Sequence, residues 1–255
     1  MIKYLYRYIS FETFVGMVQN KALAFVSPTM WDDPKESAPF RALIEKIDDP
    51  YKKVMLVAMM NKTYCQSWSK AVESDAMWRI YSYQNHALQI KVAENKLLQL
   101  NGVKMIPVEY SNQIHIEPKW DEESFLRSLA IKRRAFLHEK EVRLVKHYVF
   151  ADSDDVETHV KALLVVNEHQ QMVEIIESMY PGCSMEEKIQ NIGKLLNLGI
   201  YREETTNVSF EGISGFISGV KVHPMAPAWY VEIVREYCKR NSIPFSGQST
   251  LYSKE

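Results

Sequence analysis

The stretch HEKEVRLV, residues 138–145, places two glutamates two positions apart in a segment that reads as a strand. Side chains two apart on a strand share a face, so Glu139, Glu141 and Arg143 line up while Lys140, Val142 and Leu144 face the other way. An arginine beside Glu141 can hold its carboxylate ionised and oriented through a charge-assisted hydrogen bond. A carboxylate prepared in this way can accept a hydrogen bond from a substrate hydroxyl. The competing reading is an exposed edge strand whose alternating charges discourage aggregation.

Four further groups carry side chains suited to chemistry. In YRYIS, Arg7 lies between Tyr6 and Tyr8, and a strand would put the tyrosines on one face and the guanidinium on the other. Its planar fork suits a phosphate or carboxylate, although a lone strand arginine is more often a structural ion-pair partner. In SPTMWDDPKE, residues 27–36, Ser27 ends a strand that runs into a loop bearing Trp31, Asp32 and Asp33. That loop can put a hydroxyl, an indole and carboxylates at one pocket mouth, or can be an ordinary turn with aspartate caps. Asp32, Asp33 and Glu36 also have the oxygen donors that Mg²⁺ takes, without a fixed ligand spacing. Trp68, Trp78, Tyr81 and Tyr83 crowd one region and suit either a core or a nucleobase cage. His86 reads as a strand residue. Lys132, Arg133 and Arg134 form a basic cluster that is either a solvated helix face or a local nucleic-acid patch.

Local patterning says what must position these groups. KYLYRYIS alternates as a first strand, and residues 11–19 have helical spacing behind Ser10 as N-cap, with Asn20 and Lys21 closing the helix. Strands are expected at 22–27, 64–69, 86–92, in VKMIPVEY, at 138–150, at 160–166 and at 215–222. Helices are expected at 49–61, 74–83, 93–100, 121–137, 170–180, 185–196 and 225–241, the last with Pro227 in its first turn. Short strands with helices between them and at the end make an α+β fold. Residues 1–150 read as a catalytic core, and residues 151–255 as strands and helices completing the same domain.

Composition bounds the possibilities. A chain of 255 residues, 46% hydrophobic, can bury a core without disulfides or metal. With 31 basic and 32 acidic side chains there is no global field for nucleic acid, so any such attraction is local. Cys65, Cys183 and Cys238 lack CxxC spacing and suit a reducing cytoplasm. No apolar run reaches the roughly 18 residues of a membrane span, so the expectation is a soluble cytoplasmic protein with no membrane partner. GxGxxG and P-loop patterns are absent, which disfavours Rossmann and kinase-like readings.

The order of these motifs resembles the bacterial family of unassigned function known as DUF2971. The matching residues are Tyr6, Arg7 and Tyr8; Ser27 and Pro28; Asp33 and Pro34; Cys65 and Ser67; Met77 and Trp78; and Glu139, Glu141 and Arg143. The chain departs from the family pattern at Asp32 and Val142, where asparagine and a bulky aromatic are usual. A first-strand arginine, a serine ending a later strand and a late glutamate pair also resemble the arginine-serine-glutamate ADP-ribosyltransferases. That resemblance implies a split, two-sheet core binding NAD in its cleft as substrate. It implies Arg7 on a phosphate or ribose, Ser27 by the nicotinamide ribose, Trp31 or Tyr81 stacking on nicotinamide, Glu141 on the ribose 2′ hydroxyl and Glu139 serving the acceptor. The serine-threonine-serine run of that class is Ser27, Pro28 and Thr29 here.

The function expected is thus an NAD-dependent ADP-ribosyltransferase, a bacterial toxin or phage-defence effector. Its acceptor would be a macromolecule, RNA or DNA first, and its neutralising partner an antitoxin protein. Two other classes stand beside it: a nuclease or hydrolase using Asp32, Asp33, Glu139 and Glu141 around Mg²⁺, and a nucleotide-sensing module without chemistry.

Overall fold

The computed structural model describes residues 2–31, 33, 35–36, 38–46, 60, 63–113, 122–147, 181–184 and 204–253. Strands β1 (Tyr4–Ser10), β2 (Ala22–Val26), β3 (Thr63–Ser69), β4 (Ala87–Ala93), β5 (Val103–Pro107), β8 (Glu141–His147), β9 (Thr205–Ser209), β10 (Ile217–Val222) and β11 (Phe245–Gln248) build one nine-stranded sheet. Two short strands, β6 (Glu109–Tyr110) and β7 (Ile131–Lys132), pair in parallel apart from it. The helices are α1 (Phe11–Asn20), α2 (Ala38–Lys46), α3 (Asp75–Ile80), α4 (Glu94–Leu98), α5 (Glu122–Ser128) and α6 (Ala228–Arg240). The fold is α+β with a large mixed sheet, most of it antiparallel and the β10–β11 pair parallel.

Sequence patterning places most of these elements within a few residues. Ser10 caps α1 as expected, its hydroxyl accepting from the Thr13 amide at 3.2 Å. Lys21 ends that helix in the left-handed region, which turns the chain straight into β2. Pro227 precedes α6 as its N-cap, outside the first turn. The expected helices at 49–61, 170–180 and 185–196 and the strand at 160–166 lie outside the described residues, Met60 aside.

One expectation fails outright. The helix expected over 121–137 stops at Ser128, whose hydroxyl bonds back to the Phe125 carbonyl at 2.6 Å. The Leu129 and Ala130 amides close the turn onto Leu126 and Arg127, a tightened end that satisfies the last carbonyls. The chain then pairs with β6: Glu109 donates to the Ala130 carbonyl at 2.7 Å and Ser111 to that of Lys132 at 2.9 Å. Partners distant in sequence overrode a local helical stripe.

The sheet's central strand decides where a site can form. β3 pairs along its whole length with β8, from Thr63 opposite His147 to Ser69 opposite Glu141, and β8 pairs in turn with β5. On its other edge β3 meets β1 only at Ser69, opposite Tyr6, and β2 only at Cys65, opposite Val26. β1 and β2 therefore diverge along Gln66, Ser67 and Trp68. A core split into two sheets was expected, whereas among the described residues the nine core strands form a single sheet parted between β1 and β2.

Strand alternation sorts the core to either face. On one face Leu5, Ile9, Leu23, Phe25, Ile90, Val142 and Leu144 pack with Phe14, Met17 and Val18 of α1 and Val231, Val234 and Cys238 of α6. The other face carries two smaller clusters. Phe40, Leu43, Phe125 and Leu129, from α2 and the α5 end, cover Cys65 and Val145, while Met77 and Trp78 of α3 cover Tyr8 and Ala87. Between those clusters a concave region stays open.

Candidate active site

That region is a cavity of about 200 Å³ whose walls include Arg7, Trp31, Ser67, Tyr81, Glu139 and Glu141. The glutamates are not on an exposed edge. Glu139 and Glu141 are 6% and 4% exposed and Arg143 is 1% exposed, and the strand that carries Glu141 and Arg143 is paired at both sides.

The route by which the two carboxylates meet differs from the expected one. Glu139 ends a 3₁₀ helix, Arg134–Glu139, and Lys140 takes a left-handed backbone with φ 45°, so β8 begins only at Glu141. Glu139 therefore does not share a strand face with Glu141 and Arg143. The turn is pinned to β3: the Ser69 hydroxyl donates to the Glu139 carbonyl at 2.6 Å and the Lys70 amide to that of Lys140 at 3.0 Å.

Lys132 joins the carboxylates. Its Nζ lies 2.6 Å from Glu139 Oε2, 3.2 Å from Glu141 Oε2 and 3.1 Å from Glu36 Oε1. Arg143 closes the lattice, with Nη2 2.8 Å from Glu141 Oε1 and 3.2 Å from Glu36 Oε2, and Nη1 donating to the Leu129 carbonyl at 2.5 Å. Its guanidinium stacks on Trp31, 4.2 Å from the ring centroid. Ser67 donates to Glu141 Oε1 at 2.5 Å, and the Glu141 amide donates to the Tyr110 hydroxyl at 2.7 Å. Glu141 Oε1 is crowded with donors while Oε2 receives Lys132, leaving Oε2 able to accept one more.

These contacts push the two carboxyls apart in acidity. Burial works against charge on Glu141, but Arg143, Lys132 and the Ser67 hydroxyl outweigh it and hold the carboxyl at about 2. Burial raises Glu139, and so does the neighbouring Glu141, against the pull of Lys132. One carboxylate is thus fixed as an anion while its neighbour can exchange a proton, the pattern of paired acid–base sites. Burial disfavours the ammonium of Lys132, yet Glu141, Glu36 and Glu139 together raise its pKa. Tyr81 at the mouth is raised by burial and then by Glu139, with Lys132 and Arg7 opposing.

Arg7 stands apart from this lattice. Among the described residues its Nη1 is buried without a hydrogen-bond partner, and burial lowers its pKa to about 10, with Tyr81 and Glu141 acting the other way. It remains a cation throughout the neutral range.

The structure therefore brings Arg7, Trp31, Tyr81, Glu139 and Glu141 to one cavity. It does not bring Ser27 there. Ser27 is wholly buried, its amide donating to the Glu204 carbonyl at 2.8 Å, and it lines neither of the cavities beside β1. Asp32 lies outside the described residues. Asp33 is taken by Arg133 at 2.8 Å, and among the described residues no group of three His, Cys, Asp or Glu side chains is set to hold a metal. Of the other carboxylates assigned to Mg²⁺, Glu36, Glu139 and Glu141 are paired with Lys132, and Glu36 and Glu141 also with Arg143.

Sequence reasoning missed Lys132 and Tyr110 as members of the site and read Glu36 only as an oxygen donor for Mg²⁺. Lys132 was read as a surface cation beside Arg133 and Arg134, yet it is 8% exposed at the lattice centre, and Arg133 pairs with Asp33. The basic cluster does not present three cations to a nucleic acid. Its one sequence signal was the apolar run Leu129, Ala130 and Ile131 just before the cation, more apolar than a solvated face. Trp68 and Trp78 are core, while Tyr81 and Tyr83 are exposed.

No family model matches the chain, so the DUF2971 resemblance gains no support there, and no curated protein matches it. Among solved structures, DarT from Thermus sp. 2.9 in complex with ADP-ribosylated ssDNA is similar over 95% of this chain and 92% of that one. The sequence identity is 9% and the TM-score 0.33. At that TM-score the likeness carries no argument. Among the described residues, no helix is long and apolar enough to cross a membrane.

Proposed function

We propose that the chain is an NAD-consuming ADP-ribosyltransferase acting on a macromolecular acceptor, as a toxin or defence effector. The observation that carries this reading is Glu141, an anion held near pKa 2 in a cavity shared with Glu139, Arg7, Trp31 and Tyr81. In the reaction the bond between nicotinamide nitrogen and ribose C1′ breaks, nicotinamide leaves neutral and positive charge gathers on the ribose. A fixed carboxylate stabilises that charge more in the transition state than in the ground state. Oε2 of Glu141 accepts the ribose 2′ hydroxyl, and Tyr81 or Trp31 stacks on nicotinamide. The acceptor nucleophile then bonds to C1′ and gives its proton to Glu139, which burial and the neighbouring Glu141 make the more basic of the two carboxylates. Nucleic acid is the first acceptor class to test.

The experiment is incubation with labelled NAD, alone and with RNA, DNA or cell extract, beside Glu141→Gln. The expected result is nicotinamide release and a labelled macromolecule, both reduced on the order of 10²–10³-fold or more in the variant. NAD left intact in every mixture by folded protein overturns the proposal.

A second reading draws on the completeness of the lattice, in which every carboxylate has a cation. The cavity then senses a nucleotide without chemistry. Under that reading Glu141→Gln keeps ligand binding and Arg7→Ala removes it.

A further inference from the structure

Arg7 faces two cavities. Along β1 it shares its side with Leu5 and Ile9, both packed in the core beneath α1, so its stem leaves the sheet on the face opposite Glu141. Its guanidinium fills the gap where β1 and β2 diverge, and it lines both the Glu141 cavity and a second one of about 220 Å³ between α1, β1 and β2. Gln66 borders both as well, bridging the gap by donating to the Ala24 carbonyl at 2.8 Å.

The two chambers differ in charge. The Glu141 side presents two carboxylates to any ligand. Among the described residues, the α1 side presents Arg7 as its one charged wall, with Thr13, Asn20 and Asn207 as neutral polar groups and no carboxylate. An oxyanion is repelled on the first side and welcomed on the second. A buried N–H without a partner is rare and calls for an explanation, and Arg7 Nη1 is such a group.

We propose that the chamber between α1, β1 and β2 binds a small phosphoryl anion through Arg7, from the face of the sheet opposite Glu141. The guanidinium fork fits such an oxyanion. The Thr13 hydroxyl and the Asn20 and Asn207 amides that also line the chamber suit a tetrahedral ligand with many acceptor oxygens better than a two-oxygen carboxylate. The chamber is smaller than the roughly 300–1,000 Å³ usual for drug-sized ligands. It therefore takes inorganic phosphate or the phosphoryl end of a larger molecule, not a whole nucleotide. This site stands whether or not the chain turns over NAD.

The test is calorimetric titration of the full chain with inorganic phosphate at constant ionic strength, on the wild type, Arg7→Met, Gly16→Phe and Glu141→Gln. Gly16 lines the chamber, and a Cβ there meets no atom within 4 Å, so a phenylalanine side chain has room to enter the space. Circular dichroism checks that each variant is folded. Expected are saturable binding by the wild type, its loss in Arg7→Met, weakening of about tenfold or more in Gly16→Phe, and retention in Glu141→Gln. ADP-ribose is the second probe. If it displaces phosphate, and Gly16→Phe weakens both, the chamber takes the phosphoryl group of a nucleotide; phosphate binding that ADP-ribose leaves untouched marks a site for the free anion. No saturable binding by the wild type, or undiminished binding in folded Gly16→Phe, overturns the proposal. Because the readout is binding, a chain inactive on NAD can still bear it out.

Discussion

A half-buried glutamate, Glu73, and a buried one, Glu141, lie on the same face of the sheet, held by hydrogen bonds and cations, and only Glu141 lines the candidate cavity. Glu73, between β3 and α3, accepts from Trp78 Nε1 at 2.9 Å and from the Ser249 hydroxyl, and lies 3.2 Å from Lys221. Burial raises its pKa, but these donors outweigh burial and the net shift is downward. It ties the loop before α3 to β10 and to the segment after β11. Glu141 has as many donors, but it shares Lys132 with a second carboxylate and borders a cavity that a ligand can enter. A charged, well-bonded carboxylate by itself is thus a structural tie. What distinguishes Glu141 is a neighbour, Glu139, displaced in the opposite direction at a shared opening.

The comparison breaks most visibly at Lys132. Lys132→Met leaves Glu36, Glu139 and Glu141 with Arg143 as their remaining cation. Removing one member of a buried ionic group costs about 3–5 kcal/mol, so urea denaturation at neutral pH should show a loss of that size. A loss under about 1 kcal/mol, the range of exposed pairs, would show the lattice to be solvated.

Acid titration of stability comes next. Glu141 falls from 4.5 in the unfolded chain to about 2 in the folded one. The unfolded state therefore binds more protons between these values, and stability drops as pH falls through that window. Glu139 has the opposite sign: its raised folded pKa means that its contribution is lost as pH rises through that value. Glu141→Gln should flatten the acid loss, and Glu139→Gln should preserve it. In the proposed transferase, Glu139→Gln should also remove the rise of turnover with pH above the ordinary carboxyl range.

Glu73→Gln is the matched control. It keeps the side chain's shape and loses the charge opposite Lys221, with an expected cost of about 1–2 kcal/mol in denaturation and unchanged NAD turnover. A turnover loss as large as that of Glu141→Gln would erase the distinction between the two glutamates. The smallest effect is chemical. Burial pushes the Cys65 and Cys238 thiols up to about 12, for Cys65 despite the nearby Arg143 guanidinium. Iodoacetamide on the native protein should modify the half-exposed Cys183 and spare the other two, as read by peptide mass spectrometry.

Which parts were legible in the sequence follows from range. β1, α1, β2, β3, β4, β10 and α6 rest on alternation, helical spacing and caps such as Ser10, and all are properties of neighbouring residues. Residue types and the family resemblance marked Arg7, Ser27, Trp31, Tyr81, Glu139 and Glu141 as candidates for one site, and all of them but Ser27 line its cavity. Arg143 instead backs that cavity, holding Glu141 and stacking on Trp31. Tertiary structure alone decided how they meet. Pairing with β6 ended α5 early and turned Lys132 inward, and the left-handed Lys140 carried Glu139 around a corner rather than along a strand. The divergence of β1 and β2 from β3 opened the gap that Arg7 fills. A local pattern sets which way a side chain leaves its own backbone. The charges it then meets depend on contacts between residues up to about a hundred positions apart, such as Glu36 with Lys132 and Arg143, and no local period encodes those.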